Sequence, residues 1–253
     1  MIKSALDRHT NFDRQANAKR YFKSGPGEYA EGDQFLGVAN PDLRAISKKF
    51  WKEVTADEMV LLLNDPIHEV RLLAIFMLVQ KFQKAKAPAE KEFWVNVYLD
   101  NLAKINNWDL VDSSAYQILG VWLEDKPRDI LVEFAKSGEL WKQRIAMIAT
   151  MHFIKKDDFK DTLAIAKILL HHEHDLIHKA VGWMLRETGN RNLKVEEDFL
   201  KKHYKTMPRT ALRYAIEKFP EAKRQGYLKG EIEKGITEFL REKHRDSQRK
   251  SIK

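Results

Sequence analysis

Apolar residues recur at helical spacing along most of this chain, most densely toward its middle. Between Pro66 and Phe82, the residues Ile67, Val70, Leu72, Leu73, Ile75, Phe76, Leu78 and Val79 occupy more than one face of a helix, as in an inner helix packed from several sides. Just upstream, Thr55-Ala-Asp-Glu58 has the form of a capping box, in which hydroxyl and carboxylate each take up a free amide at a helix start. Asn64-Asp-Pro66 predicts where that helix stops. Helical periodicity dominates from about residue 41 onward, and strand-like alternation is absent.

A longer period is superimposed on the first. Five segments join a charged residue to a small alanine inside an apolar helix: Val70-Arg-Leu-Leu-Ala74, Val111-Asp-Ser-Ser-Ala115, Lys142-Gln-Arg-Ile-Ala146, Ile177-His-Lys-Ala180 and Pro208-Arg-Thr-Ala211. Their alanines lie 41, 31, 34 and 31 residues apart, the length of one helix pair in an α-solenoid. The expected fold is all-α: a HEAT-like repeat solenoid with alanine at close helix crossings and charged side chains turned toward a shared, basic concave groove. A non-repetitive helical bundle that reuses alanine at packing contacts is the other reading of this spacing.

Residues 25–33 break the helical pattern. Three glycines and a proline within nine positions exclude regular helix and predict a short turn or hairpin. The chain reads as one domain over residues 1–240, followed by a lysine- and arginine-rich tail, 241–253, that carries no apolar stripe and is expected to fray.

Composition narrows the function classes. The absence of cysteine removes disulfides, thiolate metal sites and iron–sulfur chemistry. No stretch approaches the roughly 20 apolar residues of a membrane span, and the charge-dotted N-terminal residues lack the apolar core of a signal peptide, so a cytoplasmic protein is expected. A net charge of +8 suits a polyanionic partner such as nucleic acid.

Candidate chemistry concentrates in Asn106-Asn-Trp-Asp-Leu-Val-Asp-Ser113. Spacing of four sets Trp108 and Asp112 one helical turn apart on one face, with Asp109 pointing elsewhere. The pair is either part of a groove wall or a core indole beside a satisfied polar residue. Trp141 with Arg144, and Trp183 with Arg186, lie three apart on the inner segments, which adds weight to a groove. Trp51, Trp94 and Trp122 are expected in the core, and Trp141 is expected to cap or to pack on its own helix.

In these residues the chain resembles the AlkD family of HEAT-like alkylpurine DNA glycosylases. The resemblance runs over about residues 20–220 and is carried by Tyr21-Phe-Lys23, Phe35-Leu-Gly-Val38 with Pro41 and Arg44, Trp108-Asp-Leu-Val-Asp-Ser113, Trp141-Lys-Gln-Arg144 and Ile177-His-Lys-Ala-Val-Gly-Trp-Met-Leu-Arg-Glu187. It implies duplex DNA held in the groove and excision of purines alkylated at N3 or N7, without drawing the base into a pocket. It implies Asp112 as the catalytic carboxylate, Trp108 and Trp183 as indoles flanking the damaged nucleotide, Arg144 on the DNA backbone and Tyr21 along the groove. Lys23, Arg44, Arg71, Lys179 and Arg186 are the further cations expected to meet phosphates. Relative to the best-matched glycosylases, residues 25–33 look like an insertion. Relatives with a hairpin near this position resemble branched-DNA binders without detectable base excision. Two functions therefore stand side by side: an alkylpurine glycosylase, and a noncatalytic binder of branched or distorted DNA; a HEAT-type protein scaffold is third. A monomer is expected in each DNA-bound case.

Cofactors are not expected. His171-His-Glu-His174 with His178 places two histidines four apart, but their order is not the His-Glu-x-x-His of a zinc helix, so no metal is assigned. Gly25-Pro-Gly27 lacks the lysine and hydroxyl of a phosphate-binding loop.

Overall fold

The computed structural model describes residues 1–232; the tail expected at 241–253 lies outside the described residues. The described chain is helical throughout, in the manner of a helical repeat protein. By their contacts the described residues gather into two compact units, Met1–Phe153 and one that begins at Ile154.

The first unit contains α1 (Ile2–Asp7), α2 (Phe12–Tyr21), α3 (Asn40–Phe50), α4 (Ala56–Leu63), α5 (His68–Lys84), α6 (Pro88–Asp100), α7 (Trp108–Asp112), α8 (Asp129–Lys136) and α9 (Leu140–Ala149). The short α10 (Met151–Ile154) carries the boundary. The second unit holds α11 (Lys160–Leu169), α12 (Asp175–Arg191), α13 (Leu193–His203), α14 (Arg209–Ala215) and α15 (Glu221–Lys229).

Each unit has one long central helix. In the first, α5 packs against α3, α4, α6 and α7, and its residues Leu73, Ile75 and Met77 are wholly buried. Burying such a side chain contributes roughly 1.5–3 kcal/mol, so the all-round apolar pattern of α5 is what makes it the hub. In the second, α12 packs against α11, α13 and α14 around Ile177, Met184 and Leu185. The alanines of the repeat, Ala74, Ala115, Ala146, Ala180 and Ala211, are all buried, as expected of residues at close crossings.

Local rules set the ends. Thr55 accepts from the Glu58 amide while the Glu58 carboxylate takes the Thr55 N–H, completing the capping box of α4. α5 starts at His68 rather than Pro66, because Pro66 and His68 exchange backbone hydrogen bonds with Gln34 in an isolated parallel bridge. Helix also begins well before residue 41. α1 and α2 escaped the periodicity because α2 buries none of its side chains and so carries no apolar stripe. Residues 25–33 form consecutive turns without a strand pair, with Gly27 and Gly32 at positive φ. The carboxylates of Glu28 and Glu31 bond the amides of Gly25 and Gly27, ordering the segment from within. Among the described residues no helix is long and apolar enough to cross a membrane.

Candidate functional site

α7 is a single turn of five residues. Asn107 caps it, its side chain accepting from the Trp108 N–H at 2.8 Å, and the fully buried Leu110 and Val111 pin its inner side. Trp108 and Asp112 are left half-exposed one turn apart, and both line a cleft of about 320 Å³ together with Tyr21, Phe22, His68 and Asp109.

Asp112 is held by Arg144 of α9. Nε donates to one carboxylate oxygen at 2.9 Å and Nη2 to the other at 2.8 Å, a bidentate fit that only a guanidinium makes. Burial pushes the Asp112 pKa above the ordinary carboxylate value; the charge and hydrogen bonds of Arg144 offset this only in part. Arg144 is itself buried, so the side chain expected on the DNA backbone here faces its own carboxylate.

The Trp108 indole sits in an aromatic layer. Tyr21 meets it edge-on at 5.7 Å and Phe22 stacks on it at 5.5 Å; Phe22 in turn stacks on Phe35 at 5.4 Å. The Tyr29 phenol is its hydrogen-bond partner, and burial raises the Tyr29 pKa. An indole N–H can only donate, so the phenol oxygen accepts. Tyr29 also meets Trp141 edge-on at 5.9 Å. Residues 25–33 thus pack against both tryptophans, and Trp141 packs on that segment rather than on its own helix alone.

Behind the aromatic layer lies a charged chain that sequence reasoning missed. His68, at the first position of α5 and 1% exposed, reaches Asp109 with Nε2 at 2.8 Å and Asp33 with Nδ1 at 3.2 Å. Burial works against its charge, but the two carboxylates prevail and hold its pKa up to about 9. At neutral pH it is an imidazolium donating from both nitrogens. Arg71 donates to the other oxygen of Asp33 at 2.7 Å and to the carbonyls of Asp65 and Pro66. Burial would raise the Asp33 pKa, yet its bonds from His68 and Arg71 hold it below the usual range. Arg71, expected to face phosphate, is therefore an inward structural cation: at 5% exposure and with a buried carboxylate to neutralise, it has no surface to offer DNA. Asp109 pairs with His68 yet stays close enough to Asp112 for its charge to help push that carboxylate's pKa up.

The remaining expected residues divide by unit. Tyr21 is 65% exposed at the end of α2, and Lys23, exposed at φ +51°, follows it. Arg44 is exposed on α3 with its guanidinium 4.2 Å above the Phe76 ring. In the second unit, Lys179, Trp183 and Arg186 share one face of α12, and each has a carboxylate partner: Asp175 for Lys179, Glu187 for the Trp183 N–H, Glu217 and Glu187 for Arg186. Of the tryptophans expected in the core, Trp94 is buried; Trp51 and Trp122 are half-exposed beneath Lys52 and Lys126. The histidine cluster serves the start of α12: His174 accepts from the Leu176 N–H at 3.1 Å, and His178 bonds the His172 carbonyl.

The family model of the DNA alkylation repair enzymes matches residues 2–219. The chain belongs to that family. A solved structure, a predicted DNA alkylation repair enzyme from Enterococcus faecalis, superposes with a TM-score of 0.67, covering 83% of this chain and 97% of that one at 19% identity, and so shares its fold. No curated protein matches the chain. Membership of the DNA alkylation repair family supports a role in the repair of alkylated DNA, with DNA as the partner. In this family member, the most developed constellation of the first unit is a carboxylate and an indole side by side in an aromatic-walled cleft. Such a pair stabilises positive charge at a reacting centre, the carboxylate by its charge and the ring by its face.

Proposed function

We propose that the protein is an alkylpurine DNA glycosylase that hydrolyses the N-glycosidic bond of purines alkylated at N3 or N7 in duplex DNA. The observation that carries this reading is the Asp112 carboxylate, partly exposed to the cleft one turn from the Trp108 indole and held in place through both oxygens by Arg144. A purine alkylated at N3 or N7 is cationic and leaves readily. The C1′–N9 bond breaks with its electron pair passing to the purine, which departs neutral, and positive charge develops on the sugar. Asp112 stabilises that charge and receives a proton from the water that adds at C1′. The Trp108 face contributes roughly 0.5–2 kcal/mol toward a nearby cation. Tyr21, Lys23 and Arg44 are the exposed groups of the first unit assigned to DNA; Lys179, Trp183 and Arg186 are assigned to it from the second.

A second reading, a noncatalytic binder of branched or distorted DNA, draws on the same ion pair: Arg144 already neutralises Asp112, and residues 25–33 pack against Trp108. One assay separates the two. Incubation with methylated duplex DNA releases 7-methylguanine or 3-methyladenine, and Asp112→Asn lowers the rate on the order of a hundredfold or more. Purine release no higher than in Asp112→Asn ends the enzyme reading, and junction affinity that survives the substitution supports the binder.

A further inference from the structure

The chemistry above uses neither the buried chain Arg71, Asp33, His68, Asp109 nor residues 25–33, yet these groups converge on the helix that carries Trp108 and Asp112. A five-residue helix has no stability of its own, so its direction is set by what holds it. Asp112 is anchored to Arg144 at its end, and Asp109 to His68 at its start. Among the described residues His68 is the one hydrogen-bond partner of the Asp109 carboxylate, whose other oxygen is buried and unpaired. The opposite face of the imidazole is fixed by Asp33, which Arg71 locks in turn.

We propose that His68 is a positioning residue: by bonding Asp33 through Nδ1 and Asp109 through Nε2, it clamps residues 25–33 to the first turn of α7 and so fixes the Trp108 indole and the Asp112 carboxylate. Residues 25–33 are then a strut of the site. Their Tyr29 phenol supplies the acceptor for the indole N–H, and their Asp33 the counter-charge for His68. The charged groups facing the imidazole are Asp33, Asp109 of α7 and Arg71 of its own helix. With the proton lost, one of its two nitrogens becomes an acceptor facing a carboxylate, and one side of the clamp opens. The catalytic consequence rests on the glycosylase reading; the geometric one does not.

The test compares His68→Asn with His68→Gln in the full chain. Asn reaches toward Asp33 but falls short of Asp109, whereas the longer Gln keeps a neutral donor to Asp109. The Trp108 indole N–H resonance, assigned with Trp108→Phe, is expected to move in His68→Asn and to lie near its wild-type position in His68→Gln, with the Trp94 resonance fixed in both. Purine release is expected to fall about ten- to a hundredfold in His68→Asn, as for a displaced catalytic geometry, with DNA affinity unchanged and much of the rate restored by Gln. Equal displacement of the Trp108 resonance in both variants, or in neither, overturns the proposal. If His68→Asn does not fold, titration of the wild type decides: the Trp108 resonance must follow His68 deprotonation near pH 9, and a resonance that stays fixed overturns it. Should the wild type release no purine, the glycosylase reading fails alone, and the resonances still judge the clamp.

Discussion

At the scale of single residues, the governing contest is between burial and pairing. Asp112 and His68 are both desolvated, and both are matched to opposite charge, but the outcomes differ. Two carboxylates carry His68 well into the charged state, while a single guanidinium leaves the Asp112 pKa above its ordinary value. Arg144 is what keeps the Asp112 pKa from rising further. Arg144→Gln removes the charge that favours the carboxylate and leaves the burial, so the acid limb of the pH–rate profile is expected to move to higher pH. Arg144→Lys, which keeps the charge but loses the fork, is expected to move it less. An acid limb that stays put in Arg144→Gln assigns that limb to another group.

At the scale of elements, glycines at helix crossings decide how closely repeats pack. A Cβ on Gly120, in the π-helical turn Tyr116–Gly120, would stand 2.5 Å from the Ala149 carbonyl oxygen. One on Gly182 of α12 would run into the Ala211 carbonyl and Tyr214 of α14. Helix propensity favours Gly182→Ala by about 1 kcal/mol, but the collision is with backbone that cannot step aside. The substitution is expected to lower the stability of the second unit by about 1–3 kcal/mol, read by denaturant unfolding. Within the same unit, α13 buries Glu196 at 1% exposure with one oxygen unpaired, and burial together with Glu197 carries its pKa up to about 8. A folded-state value above the unfolded one means the neutral acid is tolerated and the carboxylate is not. Stability is therefore full at low pH and is lost as pH rises through about 8. Glu196→Gln is expected to stabilise the protein by roughly 1–3 kcal/mol at pH 9 and to leave it little changed at pH 5, and thermal unfolding at the two values checks this.

At the scale of the whole molecule, a net charge of +8 sets a field that draws DNA, but only outward cations take part in binding. Lys23 and Arg44 are exposed; Arg71 is spent on Asp33. Alanine at Lys23 or at Arg44 is expected to weaken duplex binding and to reduce the slope of log K against log salt by about one each. Arg71→Ala leaves that slope unchanged and lowers stability instead, because it strands a buried carboxylate. Fluorescence anisotropy across a salt series measures both, and a slope that falls in Arg71→Ala contradicts the inward assignment.

What the sequence determined by itself is what local rules can determine. Helical periodicity, the capping box at Thr55, the alanine spacing, and the one-turn offset of Trp108 from Asp112 all follow from a backbone that repeats every 3.6 residues. The resemblance in motifs pointed to the family that the match over residues 2–219 establishes. The tertiary structure alone decided which charges face each other. Asp112 meets Arg144 across 32 positions, His68 meets Asp109 across 41 and Arg71 meets Asp33 across 38, distances over which no periodicity speaks. A spacing rule fixes the face a side chain occupies, whereas its partner is fixed by how two helices cross. That is why Arg71 and Arg144, alike in pattern to surface cations, turned inward once buried carboxylates lay within reach.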